Sequence, residues 1–126
     1  HELSHLKGFM REDEANFIAC LACSFSENRA FRYSGYLLGW IHATNALADV
    51  DRDAYQKCVA RLETEVREDL ARNNQFWDHY DTKTAKVANQ INDTYLKANL
   101  QEDGVKSYGR VVDLMLAYRK LEKRGE

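Results

Sequence analysis

The chain opens on His1-Glu2-Leu3-Ser4-His5, two histidines four residues apart with a glutamate beside the first. On a helix, residues four apart project from one face, so both imidazoles can hold one metal ion. Glu2, rotated by about 100° from His1, sits beside that ion without being forced to ligate it. Two neutral imidazoles suit Zn²⁺, a Lewis acid that brings the pKa of a bound water to about 7. A neighbouring carboxylate can then take the water's proton, which makes Glu2 the natural general base of a hydrolase. Chance is the competing explanation. With four histidines and frequent Glu, the pattern arises at random on the order of once in a few hundred chains of this length.

A catalytic zinc site needs a third protein ligand. The motif is followed by Gly8, a helix stop, and then by Arg11-Glu12-Asp13-Glu14-Ala15-Asn16, which opens a second helix. A carboxylate there can fold back onto the metal. Peptide hydrolysis also needs a donor for the developing oxyanion, and Tyr95, Tyr108 and Arg110 are the candidates in the most polar stretch outside the motif. Ordinary roles compete for each of them. Tyr95 falls on an apolar stripe, while Tyr108 and Arg110 lie at a helix start where capping contacts and salt bridges are common. His42 and His79 read as surface or satisfied histidines and are not counted as ligands.

The elements that must position these residues are helices. Proline is absent, glycines number six, and the 44% hydrophobic share comes with abundant Ala, Leu, Glu, Lys and Arg, so the composition predicts an all-α domain of five to six helices spanning residues 1–126. After the motif helix, Ile18, Leu21, Ala22 and Phe25 mark a face of helix two. Tyr33, Tyr36, Leu37, Trp40, Ile41, Thr44, Leu47 and Ala48 mark a long third helix, ended by Asp49-Val50-Asp51 with Asp51 as the next N-cap. Polar and small residues interrupt this helix short of ~18 clean apolar positions, so it reads as a buried central helix and not a membrane span. Tyr55 to Leu62 and Val66, Leu70 and Trp77 form one bent helix or two. Val87, Ile91, Tyr95 and Ala98 give a further helix. A turn at Gln101-Glu102-Asp103-Gly104 and a cap at Ser107 introduce a last one carrying Val111, Leu114, Met115 and Tyr118.

The net charge of −2, with both signs interspersed, offers no basic stripe for phosphates and argues against nucleic acid as a partner. The runs from Arg61 to Arg72 and Arg119 to Arg124 are solvated faces with pairs such as Glu63 with Arg67 and Glu68 with Arg72. Cys20, Cys23 and Cys58 are an odd set without metal-ribbon spacing, which favours reduced, buried thiols over a disulfide framework.

Glu12-Asp13-Glu14-Ala15-Asn16-Phe17 resembles the second helix of gluzincin-like peptidases such as the CAAX prenyl proteases and the antirepressor-type metallopeptidases, where a glutamate ligand precedes an Asp or Asn by four residues. That register implies Glu12 as third ligand and Asn16 as the residue that orients a ligand. Glu14, the alternative, has no polar residue four positions later. The spacer between His5 and Glu12 is shorter than in the prenyl proteases. A second resemblance runs along nearly the whole chain. The motif through Phe9, Arg11 to Phe17, Phe31 to Tyr36, Asn92 to Lys97 and Asp103 to Asp113 together resemble an uncharacterised bacterial family, domain of unknown function 3810. It implies a predicted zinc metallopeptidase, carried at the carboxy-terminal end of a multi-pass membrane protein, acting on a peptide or protein substrate.

The motif needs helix on both sides and no initiator Met precedes it. The chain is therefore read as the carboxy-terminal part of a longer, membrane-tethered protein. Alone it is expected to be soluble and inactive, and to bind zinc weakly because the turns before His1 are lacking. Two other function classes compete. One is a non-catalytic helical regulatory or partner-binding module with a structural or vestigial metal site. The other is an interaction domain in which the motif is accidental. Glu2 separates the first from a peptidase, because a purely structural site does not need it.

Overall fold

A computed structural model describes residues 1–80 and 110–125 of the chain. These residues form six helices and no strand, so the all-α class predicted from composition holds. The helices are α1 (Glu2–Leu6), α2 (Glu12–Ser24), α3 (Arg29–Val50), α4 (Arg52–Ala60), α5 (Thr64–Tyr80) and α6 (Val111–Gly125). The helix expected over Val87 to Ala98, the turn at residues 101–104 and the Ser107 cap lie outside the described residues. The chain divides into two compact units, His1–Val50 with Lys106–Glu126, and Asp51–Val105.

In the first unit α1, α3 and α6 pack on α2. α1 ends in a Schellman turn, in which Gly8 at φ +99° donates to the His5 carbonyl and the Phe9 N–H donates to the Ser4 carbonyl. A left-handed residue at this position favours glycine, and the turn sends the chain straight back into α2. Glu12, Asp13 and Glu14 crowd the first turn of α2, where negative charge complements the helix dipole. Asn28 starts α3 by accepting from the N–H groups of Ala30 and Phe31 at 2.9 and 3.4 Å.

The packing faces of α2 and α3 match the expected stripes only in part, with Thr44 buried as expected and Ile18, Leu21, Leu37, Trp40 and Ile41 half-buried. α2 buries Asp13, Ala15 and Cys20, whereas Ala22 and Phe25 are exposed. α3 buries Gly35, Gly39 and Thr44 while Tyr33 and Tyr36 stay in solvent. Close approach is the reason. A methyl group on Gly35 would lie 2.7 Å from Cys23 Cβ and 2.9 Å from the Ser24 nitrogen, and one on Gly39 would lie 2.7 Å from Met115 Cε. Small residues, not large apolar ones, therefore mark the contact. Thr44 returns its hydroxyl to the Trp40 carbonyl at 2.7 Å. α6 keeps the pattern expected, with Val111 fully buried and Tyr118 against Phe17 at a ring separation of 6.1 Å. An apolar groove of about 630 Å³ remains between α2, α3 and α6, walled by Phe17, Leu21, Trp40, Met115 and Tyr118.

In the second unit Asp51 caps α4 as expected, accepting from the Ala54 N–H at 2.9 Å. The next apolar stretch resolves into two helices, broken at residues 61–63. Arg67 turns its guanidinium back onto that break, donating to the Ala60 and Leu62 carbonyls at 2.8 and 3.0 Å. Glu68 and Arg72 form the expected i, i+4 pair at 4.0 Å. Phe76, Trp77 and Tyr80 form an exposed aromatic cluster at the end of α5. All three cysteines are free, but only Cys20 is fully buried and Cys58 is exposed. Burial, with the Cys23 thiol beside it, pushes the Cys20 thiol up to about 11.

Candidate metal centre

Each potential ligand is aimed by the element that carries it. His1, the N-cap of α1, and His5 within the helix bring their rings together edge to face at 4.6 Å. The Schellman turn brings the Phe9 carbonyl onto the His5 ring, where it accepts from Nδ1 at 2.7 Å. Asn16, one turn beyond Glu12 on α2, accepts from His1 Nδ1 through Oδ1 at 2.8 Å. Each ring thus spends its Nδ1 proton on an acceptor behind it, which in the neutral imidazole leaves Nε2 as a bare lone pair.

Both Nε2 atoms point to one spot, and Glu12 reaches the same spot from α2. His1 Nε2 lies 3.0 Å from His5 Nε2 and 3.2 Å from Glu12 Oε2, and His5 Nε2 lies 3.5 Å from Glu12 Oε1. Among the described residues these three form a cluster of potential metal ligands. Three acceptors this close repel one another unless a proton or a cation sits between them. Tetrahedral zinc with bonds of 2.0–2.1 Å sets its ligand atoms about 3.3 Å apart, and the observed separations straddle that value. The donor set, two imidazoles and one carboxylate with room for a fourth ligand, is one that suits catalytic zinc.

The other candidates fall as follows. Glu2 projects from α1 with its side chain 88% exposed and its Oε1 3.9 Å from His1 Nε2, beside the cluster of His1, His5 and Glu12 and not part of it. Glu14 turns away towards Arg11 at 3.7 Å. Arg110 is exposed and immediately precedes α6. Tyr95 and Tyr108 lie outside the described residues. His79 is exposed near the end of α5, next to Tyr80. His42 is half-buried, and among the described residues its buried Nε2 has no hydrogen-bond partner.

Two supports of the site went unread in the sequence. The first is the Phe9 carbonyl, a backbone group with no signal of its own beyond the glycine that turns it. The second is a clamp in which Arg11 Nε and Nη2 donate to Asp13 Oδ1 and Oδ2 at 3.1 and 2.9 Å. Asp13 is only 3% exposed. Burial alone would raise its pKa, but the hydrogen bonds and charge of Arg11, helped by backbone N–H donors, outweigh it and hold the carboxyl below its usual value. The clamp braces the first turn of α2, from which Glu12 projects. An Arg two residues before an Asp at a helix start was the available clue.

No curated protein and no solved structure is similar enough to the chain to count as a match. The model of the family described as protein of unknown function DUF3810 does match, over residues 1–116, which run from the first motif histidine to the second turn of α6, and the chain belongs to that family.

Proposed function

We propose that this chain carries the catalytic centre of a zinc-dependent metallopeptidase, with His1, His5 and Glu12 as the ligands. The observation that carries the reading is the convergence of two imidazole Nε2 atoms and a carboxylate, all within 3.5 Å of His1 or His5 Nε2, from rings whose Nδ1 protons are already committed. Zinc, when bound, supplies the Lewis acidity that makes water nucleophilic near neutral pH and polarises a substrate carbonyl. Glu2 takes the proton of the attacking water on its free carboxylate and returns it to the leaving amine. Asn16 and the Phe9 carbonyl hold the two imidazoles in the ligating tautomer. The substrate class is a peptide or protein. Membrane attachment of the whole protein is part of the proposal and rests on the family resemblance alone. Among the described residues no helix is long and apolar enough to cross a membrane.

The test is Glu2→Gln in the full-length protein, at matched zinc content, with cleavage of a peptide library followed by mass spectrometry. The substitution keeps size and hydrogen bonding but removes the base. Zinc and fold should be retained while cleavage falls by a factor on the order of a hundred or more, as loss of a general base costs. Equal cutting by the two proteins, or no zinc-dependent cutting by the wild type, removes the peptidase assignment.

A further inference from the structure

Glu12, the carboxylate of the candidate metal centre, stands between two residues that are tied to each other. Arg11 Nε and Nη2 donate to Asp13 Oδ1 and Oδ2 at 3.1 and 2.9 Å, a two-pronged contact that closes across the backbone of Glu12. Arg11 is the N-cap of α2, extended at φ -80° and ψ 133°, and Glu12 is the first helical residue. The tie therefore restrains the dihedrals through which the chain enters the helix, and with them the direction in which Glu12 leaves its backbone.

One end of the tie is anchored in the packed protein. The Asp13 side chain is only 5% exposed, against 38% for Arg11. A carboxylate buried to that degree needs a charged partner, and Arg11 engages both of its oxygens.

Charge gives Arg11 a second task. Glu12, Asp13 and Glu14 follow one another in the first turn of α2. Three neighbouring carboxylates repel, and each competes for the same cation. Besides holding Asp13, Arg11 places its Nε 3.7 Å from Glu14 Oε1. Glu12 is the member of the three that turns to the imidazoles, at 3.2 Å from His1 Nε2 and 3.5 Å from His5 Nε2.

We propose that Arg11 is a positioning residue of the metal centre: by gripping Asp13 and drawing Glu14 aside it sorts the three acids, so that Glu12 is the one presented to the metal and is presented at a fixed angle. The inference rests on the metal-binding half of the proposed function and is independent of peptidase activity.

Zinc alone is the probe, in the full-length protein, with affinity measured by competition against a chromophoric chelator. Replacing the pair as a whole, Arg11→Met together with Asp13→Leu, leaves no buried charge unpaired, so the fold should hold while the tie is lost. Zinc affinity should fall about tenfold in this double variant, the usual cost of removing a group that orients a ligand. Arg11→Lys keeps the charge but puts a single contact in place of two, and should weaken binding about threefold. A role in the fold alone would leave affinity intact in both. Because Arg11 acts through Glu12, adding the double replacement to Glu12→Ala should cost nothing beyond Glu12→Ala itself.

Wild-type affinity in the double variant, or the same loss in the Glu12→Ala background as in the wild type, overturns the proposal. Where the double variant does not fold, Arg11→Lys decides, and wild-type affinity there overturns it as well. Absence of zinc binding by the wild type removes the metal centre and any role for Arg11 with it, an outcome distinct from unchanged affinity in the variants.

Discussion

Replacing Glu12 by Gln removes the anionic member of the ligand set and leaves the two imidazoles in place. Structural zinc sites with four ligands bind with about 10–16 kcal/mol of apparent free energy, or about 2.5–4 kcal/mol per ligand. At 1.4 kcal/mol per tenfold, loss of one ligand corresponds to about 100- to 1000-fold in zinc affinity. Glutamine keeps a carbonyl oxygen near the metal position, so the lower end of that range is expected. Glu14→Gln is the control. Its carboxylate faces Arg11 at 3.7 Å with the side chain 43% exposed, and a pair of that kind contributes about 0–1 kcal/mol to stability. Zinc affinity should therefore be unchanged in Glu14→Gln. The assay is competition with a chelator at fixed pH on purified full-length protein, with zinc content per chain measured in parallel. Affinity retained within about threefold in Glu12→Gln would refute the ligand assignment, being far below the cost of a lost ligand. A loss in Glu14→Gln instead would move the ligand.

Gly8→Ala forces a side chain into a backbone at φ +99°. It should cost about 1–2 kcal/mol in chemical denaturation and also weaken zinc binding, because the turn it strains aims the Phe9 carbonyl at His5. For Gly35→Ala, helix propensity alone would stabilise by about 1 kcal/mol. The added methyl, however, meets Cys23 Cβ at 2.7 Å and the Ser24 backbone nitrogen at 2.9 Å. With overpacking at about 1–3 kcal/mol, the net effect should be a lower Tm. At pH 8 a thiol alkylating reagent should label the exposed Cys58 within minutes and Cys20 only on unfolding, because Cys20 is buried and its thiol is held up at about 11. Peptide mapping by mass spectrometry would show the order, and early labelling of Cys20 would contradict its burial.

Composition and periodicity were enough for the all-α class, because the absence of proline and the abundance of helix formers are local properties. The same holds for the Asp51 cap and the inward face of α6, which depend on neighbours three or four residues away. The motif spacing brought the His1 and His5 rings together with Glu2 beside them for the same reason. The third position was different. Glu12 and Glu14 both open α2, and the preference for Glu12 came from resemblance to other peptidases. What separates them in space is the turn at Gly8, the direction in which α2 leaves it, and the Arg11 side chain that draws Glu14 aside. The packing faces of α2 and α3 were legible only in part because apolar size was taken as the signal of burial. Two helices at close approach instead select glycine and cysteine at the contact and leave tyrosine outside. His42 passed for an ordinary polar position because one sequence carries no record of what another helix places opposite it. Its nitrogen becomes buried only once the helices pack, which tertiary structure alone decides.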